Sequence, residues 1–392
     1  MQAVRKDMKK VIITDIKYRM AISPIRELGK KGYEITAAEF DDISENERLG
    51  FFSKYVSQRE LLREHDFCTD IEDICKGERP VLIAGNRRSL TQIINNSERL
   101  SQCCDFLVPT KEAINLADDK NTICQIAKKI GVPVPKTTSL TEHESIEKMA
   151  DCIDFPCIIK YRNGEAMGKK PADRYKIVNN KEDFINAYTK MNAIDENPIA
   201  SDYITGHDIG VAVVMDKNHE PVSFLCYESL REYPIKGGPT CYAKTVFSRK
   251  LLEYSVKLLK EINFTGIAML DFKGTLENPY FLEINPRIWG SAAITYLSKT
   301  PFFESYVKSA INESIPIDVK TALPQYKLNT KMRFTPQSVA CFVAHMKNSP
   351  GKLKILAQYL KSFFDLSVRD GLFSITDPKP YIKYLANLIK RS

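Results

Sequence analysis

The sequence predicts an α/β protein: an open parallel α/β sheet first, then an α+β body, then a mostly helical C-terminal segment. Three observations carry this. Short apolar strands alternate with helix-spaced segments over roughly the first 110 residues. Further on, an amphipathic helix leads into two apolar strands, "GIAMLDFKG" and "PYFLEINPR", joined only by "TLEN". Over about the last 75 residues the pattern is mainly helical.

At the N-terminus, "VIITD" (11–15) reads as a strand and "ISPIRELGKKGY" (22–33) as a helix, followed by strands "EITAAEF", "VLIAG" (81–85) and "DFLVP" (105–109). The turn after the first strand, "DIKYRM", has no glycine, so this Rossmann-like domain lacks the fingerprint of a dinucleotide site. Residues 110–137 read as helix, break, helix and a Pro-punctuated exit, which places a boundary at Pro133 and Pro135. Beyond it "PCIIKYR" is a strand, "KEDFINAYTKMN" a helix, and "PIASDYI", "IGVAVVMD" and "VSFLCYESLREY" strands; "RKLLEYSVKLLKEINF" is helical. The expected layout is 1–110, 111–315 with a lid at about 136–204, and a basic segment 316–392.

Composition narrows the function. A length of 392 residues, 43% hydrophobic and 27% charged, fits a soluble globular protein of two or three domains. No apolar run is long enough to span a membrane, and the N-terminal stretch reads as a strand, not a leader. Ten cysteines without CxxC, and five histidines without HExxH, argue against a zinc site and for reduced thiols in a cytoplasmic protein. From Lys327 onward twelve Lys or Arg face three Asp, a local +9 against a total of +8, so the body is nearly neutral. Nucleic-acid binding has no motif beyond that charge.

The chemistry lies in "NPYFLEINPRIWGS" (278–291). Glu283, Asn285 and Arg287 alternate with Ile284 and Pro286, so in a strand they share one face. The short connection from the preceding strand sets Asp271 beside them. Two carboxylates and an amide oxygen form a hard oxygen set suited to Mg²⁺, with Mn²⁺ allowed, and Mg²⁺ shares its sites with phosphates. A buried salt bridge with Arg287 is the plainer alternative; four polar groups on two adjoining apolar strands favour the metal. Lys160, the polar end of "PCIIK", precedes the loop "RNGEAMGKKPADR", which has Gly164 and Gly168 but not the spacing of a P-loop.

This order of parts resembles the ATP-grasp superfamily, in its carboxylate–amine ligase branch related to the carbamoyl-phosphate synthetase large chain. "FLEINPRIWGS" is similar to that branch's signature, and "DKNTICQIAKKIGVPVPKT" to its entry into the grasp. The resemblance, over roughly residues 10 to 310, implies ATP and Mg²⁺ as cofactors. It implies Asp271, Glu283 and Asn285 as metal ligands, and Lys120 and Lys160 as phosphate contacts. Arg287 would bind the transferred phosphate and Lys160 would assist catalysis. Asp202, Tyr203 and Ile204 would meet adenine, Asp208 would meet ribose, and the glycine-bearing loop would cover the phosphates.

The implied reaction joins a small carboxylate to an amine, with amino acids the expected substrates, through an acyl phosphate. Bicarbonate chemistry ranks lower, because no glutaminase segment, biotinyl domain or tandem grasp is seen; an ATP-binding module without turnover is the third reading. Arg231, ahead of Lys236, is the candidate for a substrate carboxylate, although "KGGP" also reads as a plain turn. Trp289 reads as packing. In the tail, Tyr381, Tyr384, Leu385, Leu388 and Ile389 share a helical face among lysines; docking on its own protein is favoured over an anionic membrane or acidic partner. A homodimer is allowed.

Overall fold

In the computed structural model, which describes residues 9–162, 167, 173–235, 238–348 and 351–391, the strands form three sheets. The first contains β1 (Lys10–Ile13), β2 (Glu34–Phe40), β3 (Val56–Leu62) and β4 (Val81–Ile83), in the order β3-β2-β1-β4 and parallel throughout. Parallel pairing needs crossovers, which the helices Ile22–Lys30 and Phe67–Cys75 supply. Alternation divides this sheet's two faces. Val11, Ile13, Val81 and Ile83 join the main core, whereas Ile12, Ala38 and Leu82 face a separate cluster with Phe67 and Ile71.

Two expectations change here. "DFLVP" is not a strand but a single parallel bridge from Asp105 to Val81. β3 was not foreseen, because as an edge strand it leaves alternate residues exposed and carries few apolar side chains.

The second sheet holds β5 (Thr137–Thr138), β6 (Cys157–Lys160), β7 (Tyr175–Val178) and β8 (Ile199–Asp202), ordered β5-β8-β6-β7 and antiparallel. Its own core includes Met149, Phe184 and Tyr188, from the helices Ile146–Asp151 and Lys181–Asn192. The glycine-bearing loop falls largely outside the described residues, as does Lys236.

The third sheet has seven strands. These are β9 (His207–Met215), β10 (Pro221–Glu232), β11 (Thr240–Val246), β12 (Gly266–Gly274), β13 (Pro279–Asn285), β14 (Lys331–Arg333) and β15 (Val368–Asp370), ordered β13-β12-β9-β10-β11-β14-β15. β14 and β15 correct the picture of the C-terminal segment. Its helices Thr335–Asn348, Lys352–Phe363 and Lys379–Arg391 are present, but two three-residue strands add to the sheet edge.

The segment also ties back to the N-terminal sheet. Arg26 and Asp377 form a fully buried ion pair at 2.9 Å, and Arg26 also donates to Leu372 O at 2.7 Å and Asp377 O at 2.8 Å. Asp377 accepts in turn from Ser53 Oγ and the Lys54 amide, both at 2.9 Å. The final helix packs Tyr381 and Tyr384 on the main core, while Lys383 and Asn387 bond Asn46 at 2.5 and 2.7 Å. Its aromatic residues are thus spent on docking; Ile382 and Ile389 remain exposed. Among the described residues no helix is long and apolar enough to cross a membrane.

Candidate functional site

Antiparallel register brings the acidic residues together. The turn of "TLEN" pairs Gly274 with Pro279 and Phe272 with Phe281, and a one-residue register shift between Phe272 and Asp271 then sets Asp271 opposite Glu283 and Met269 opposite Asn285. Asn285 Nδ2 donates to Asp271 Oδ2 at 2.8 Å and to Glu283 Oε1 at 3.3 Å. β13 ends at Asn285, so alternation carries only Glu283 and Asn285. Arg287 lies just beyond, its amide bonded to Asn285 O at 2.9 Å and its guanidinium to Ile288 O at 3.1 Å.

The floor beneath is aromatic. Gly210 of β9 lies between Asp271 of β12 and Tyr227 of β10; a Cβ there would stand 2.3 Å from the Tyr227 ring. The missing side chain lets Tyr227 stack on buried Trp289, with ring centroids 6.5 Å apart, and Trp289 meets Phe302 edge-on. Trp289 is therefore packing, as expected.

Two ammonium groups complete the cluster. Lys120 opens the helix Lys120–Lys129, whose N-cap Asp119 accepts from the Asn121 and Thr122 amides, and its Nζ lies 2.5 Å from Glu283 Oε2. Lys160, half-buried at the end of β6, feels the charges of both Glu283 and Lys120. Burial, with Lys120 beside it, lowers the pKa of the Lys160 ammonium. Burial holds the Asp271 carboxyl well above its ordinary range, and the nearby Glu283 and Asp208 charges push the same way. Burial also raises Glu283, but Lys120, Asn285 and Lys160 outweigh it and hold that carboxyl below its usual value. Two adjacent carboxylates that repel each other, with an amide able to present its oxygen to the same point, suit a hard divalent cation.

The remaining candidates are placed differently. Asp202 ends β8, where its carboxylate accepts from the Lys136 amide at 3.0 Å and its amide donates to Lys136 O at 3.0 Å. That exchange closes the base of the second sheet. Tyr203 is exposed and Ile204 half-buried, in the connection from β8 to β9. Asp208 lies opposite Lys273 and pairs with it at 2.9 Å. Both line a cavity of about 320 Å³, together with Arg231, Glu232, His345 and Tyr359.

Arg231 is already occupied. Its guanidinium donates to Ser362 Oγ at 2.8 Å and lies 3.8 Å from the Tyr359 ring centroid. Instead of a free anchor, it fastens the helix Lys352–Phe363 to β10.

The sequence reading passed over Lys273 and Arg19. Lys273 follows Asp271 by two positions, a spacing that alternation could have flagged. Arg19 gave no local signal. It comes from the N-terminal region, stacks on Phe334 at 3.7 Å and reaches within 3.9 Å of where a Gly290 side chain would begin.

Comparison with known proteins bears on the domain that carries these residues. Residues 117–291 match the model of the ATP-grasp domain family. Among solved structures, the chain resembles a biotin carboxylase–β,γ-ATP complex from Campylobacter jejuni at 19% identity, covering 83% of this chain and 74% of that one, with TM-score 0.59. It also resembles the biotin carboxylase domain of a thermophilic 2-oxoglutarate carboxylase bound to bicarbonate, at 16% identity, 83% and 73% coverage and TM-score 0.59. An L-amino acid ligase from Bacillus licheniformis matches at 12% identity, 82% and 78% coverage and TM-score 0.51. At such identities these likenesses establish the fold. Residues 117–291 are thus an ATP-grasp domain by the family match, set in a fold that the chain shares with these solved structures.

Proposed function

We propose that the protein is an ATP-dependent carboxylate–amine ligase that forms an amide or peptide bond and releases ADP and phosphate. One observation carries this reading. Asp271, Glu283, Asn285, Lys120 and Lys160 converge on one point, an arrangement of charge for holding phosphates rather than a base paired with a nucleophile.

On this reading residues 111–315 form the grasp, with residues 1–110 and 316–392 flanking it. Backbone at Tyr203 and Ile204 receives adenine beside Asp202, and Asp208 exchanges Lys273 for the ribose. Lys120 and Lys160 hold phosphate oxygens, and Lys160 stays with the phosphoryl group as it moves. Asp271, Glu283 and Asn285 would hold Mg²⁺ or Mn²⁺, which when bound offsets phosphate charge.

A substrate carboxylate oxygen bonds to the γ-phosphorus as the bond to the bridging oxygen breaks, and ADP leaves with that electron pair. The amine nitrogen then bonds to the acyl carbon, phosphate leaves, and the amine gives up a proton. Arg287 receives the transferred phosphoryl oxygens. The protein contributes positioning and charge. Amino acids in the cytoplasm are the substrates this reading favours, with the wall at Arg231 on the acceptor side.

The test is release of ADP and phosphate from Mg-ATP with pools of amino acids and small carboxylates, by wild type and Glu283→Ala. Pool-dependent ADP release absent from the variant supports the ligase. AMP and pyrophosphate would overturn it, and stimulation by bicarbonate alone would move the assignment to a carboxylase.

A further inference from the structure

On the face of the N-terminal sheet turned away from the main core, three thiols meet. Cys75 ends the helix Phe67–Cys75, and Cys103 and Cys104 follow the short helix Ser97–Leu100. Their Sγ atoms all lie within 4.8 Å of one another. Consecutive side chains in an extended chain point opposite ways. Here the turn after Leu100 brings both to one side, and Cys103 and Cys104 donate to the same carbonyl, Leu100 O, at 3.4 and 3.3 Å.

The walls are apolar. Cys75 and Cys104 are buried in the cluster with Ile71, Leu82 and Leu100, and Cys103 lies half-buried at its edge. No CxxC announces the site, since one ligand comes from a position distant in sequence.

We propose that Cys75, Cys103 and Cys104 form a binding site for a soft, thiophilic cation of the Cu(I) kind, separate from the ATP-grasp cleft. Thiolate sulfurs select Cu(I) and zinc over the hard ions suited to the cleft. Metal–sulfur bonds of about 2.3 Å place three sulfurs about 4 Å apart, so closing the site takes shifts below about 1 Å. Among the described residues no His, Asp, Glu or further Cys joins the three, and structural zinc takes four ligands, so a three-coordinate ion fits better. Binding exchanges three thiol protons for the metal. Arg79 stands beside the turn, donating to Ser101 O at 2.9 Å and Gln102 O at 3.2 Å while paired with Asp105, and its charge offsets part of the thiolate charge.

The experiment is competition for Cu(I) between reduced, oxygen-free protein and the chelator bicinchoninate. It compares wild type, Cys103→Ser, and the triple variant Cys75→Ser/Cys103→Ser/Cys104→Ser, which keeps the other seven cysteines. Wild type should withdraw one Cu(I) per chain. Cys103→Ser, at a half-exposed position, should bind more than about tenfold more weakly, and the triple variant should withdraw none. Melting curves with and without Cu(I) should show a rise for wild type that Cys103→Ser loses, which separates loss of a ligand from loss of fold. Equal withdrawal by all three proteins would overturn the site. Displacement of Cu(I) by stoichiometric Zn²⁺ would overturn the choice of ion.

Discussion

Replacing Asp271 with asparagine should stabilise the metal-free protein at alkaline pH while removing its response to Mg²⁺. The Asn285 amide bridges Asp271 and Glu283 at 2.8 and 3.3 Å, so the bonded oxygens lie about 6 Å apart at most, and at an effective dielectric near 20 two such charges repel by about 3 kcal/mol. Lys120, bonded to Glu283, takes up part of that, leaving about 1–3 kcal/mol. Burial and then Glu283 raise the folded-state pKa of Asp271, so the folded protein retains a proton that the unfolded chain has lost. Linkage then requires wild-type stability to be complete below about pH 4 and to fall as pH rises through the raised value. Asparagine carries no such slope. Urea unfolding in EDTA should show the two proteins equal near pH 4 and the variant ahead by about 1–3 kcal/mol at about pH 8.5. Adding Mg²⁺ should stabilise wild type alone. A variant weaker than wild type in EDTA at alkaline pH would refute the repulsion, and an equal Mg²⁺ shift in both would refute the metal role.

Two further predictions concern the scaffold. Glu27 is buried, accepts from the Phe303 and Glu304 amides at 2.9 and 3.0 Å, leaves Oε2 without a hydrogen-bond partner among the described residues, and is pushed by burial up to about 8. Its contribution is therefore lost as pH rises from about 4.5 through 8, and Glu27→Gln should overtake wild type in melting temperature above about pH 8; parallel pH profiles would sink this. Asp377→Ala leaves the Arg26 guanidinium buried without its carboxylate and should cost about 3–5 kcal/mol in urea, whereas Arg26→Met/Asp377→Ala should cost clearly less. Equal losses in the two variants would mean the ion pair is not what binds this segment.

What the sequence disclosed follows the range of the interaction. Glu283 and Asn285 alternate within one strand and a short connection brings Asp271 near them, so the neighbourhood of the acidic cluster was legible from local pattern, whereas the register shift that sets Asp271 opposite Glu283 was not. The alternation also overreached, because β13 stops at Asn285 and Arg287 is outside the ladder. Partners at long range leave no period to read. Arg231 meets Ser362, Arg26 meets Asp377, and Cys75 meets Cys103 and Cys104 only through the folded chain. β14 and β15, three residues each, are shorter than any window in which alternation can be told from chance.

The basic C-terminal segment carries the chain's charge excess, and its side chains act as fastenings. Lys331 pairs with Asp365, Arg333 donates to Ser362 O, and Lys383 reaches Asn46 of the N-terminal region. Through β14 it extends the sheet that carries Asp271, through Tyr359 and His345 it walls the cavity beside Asp208, and through Asp377 it is locked to Arg26. One segment therefore both bonds to the N-terminal region and lines the cavity that holds Asp208. On the proposed reading, with Arg231 on the acceptor side, the helix Lys352–Phe363 would shape that side together with β10. Exchanging that helix should change which acceptors are used while leaving ATP binding intact, and nucleotide affinity measured beside acceptor preference in such an exchange separates the two roles.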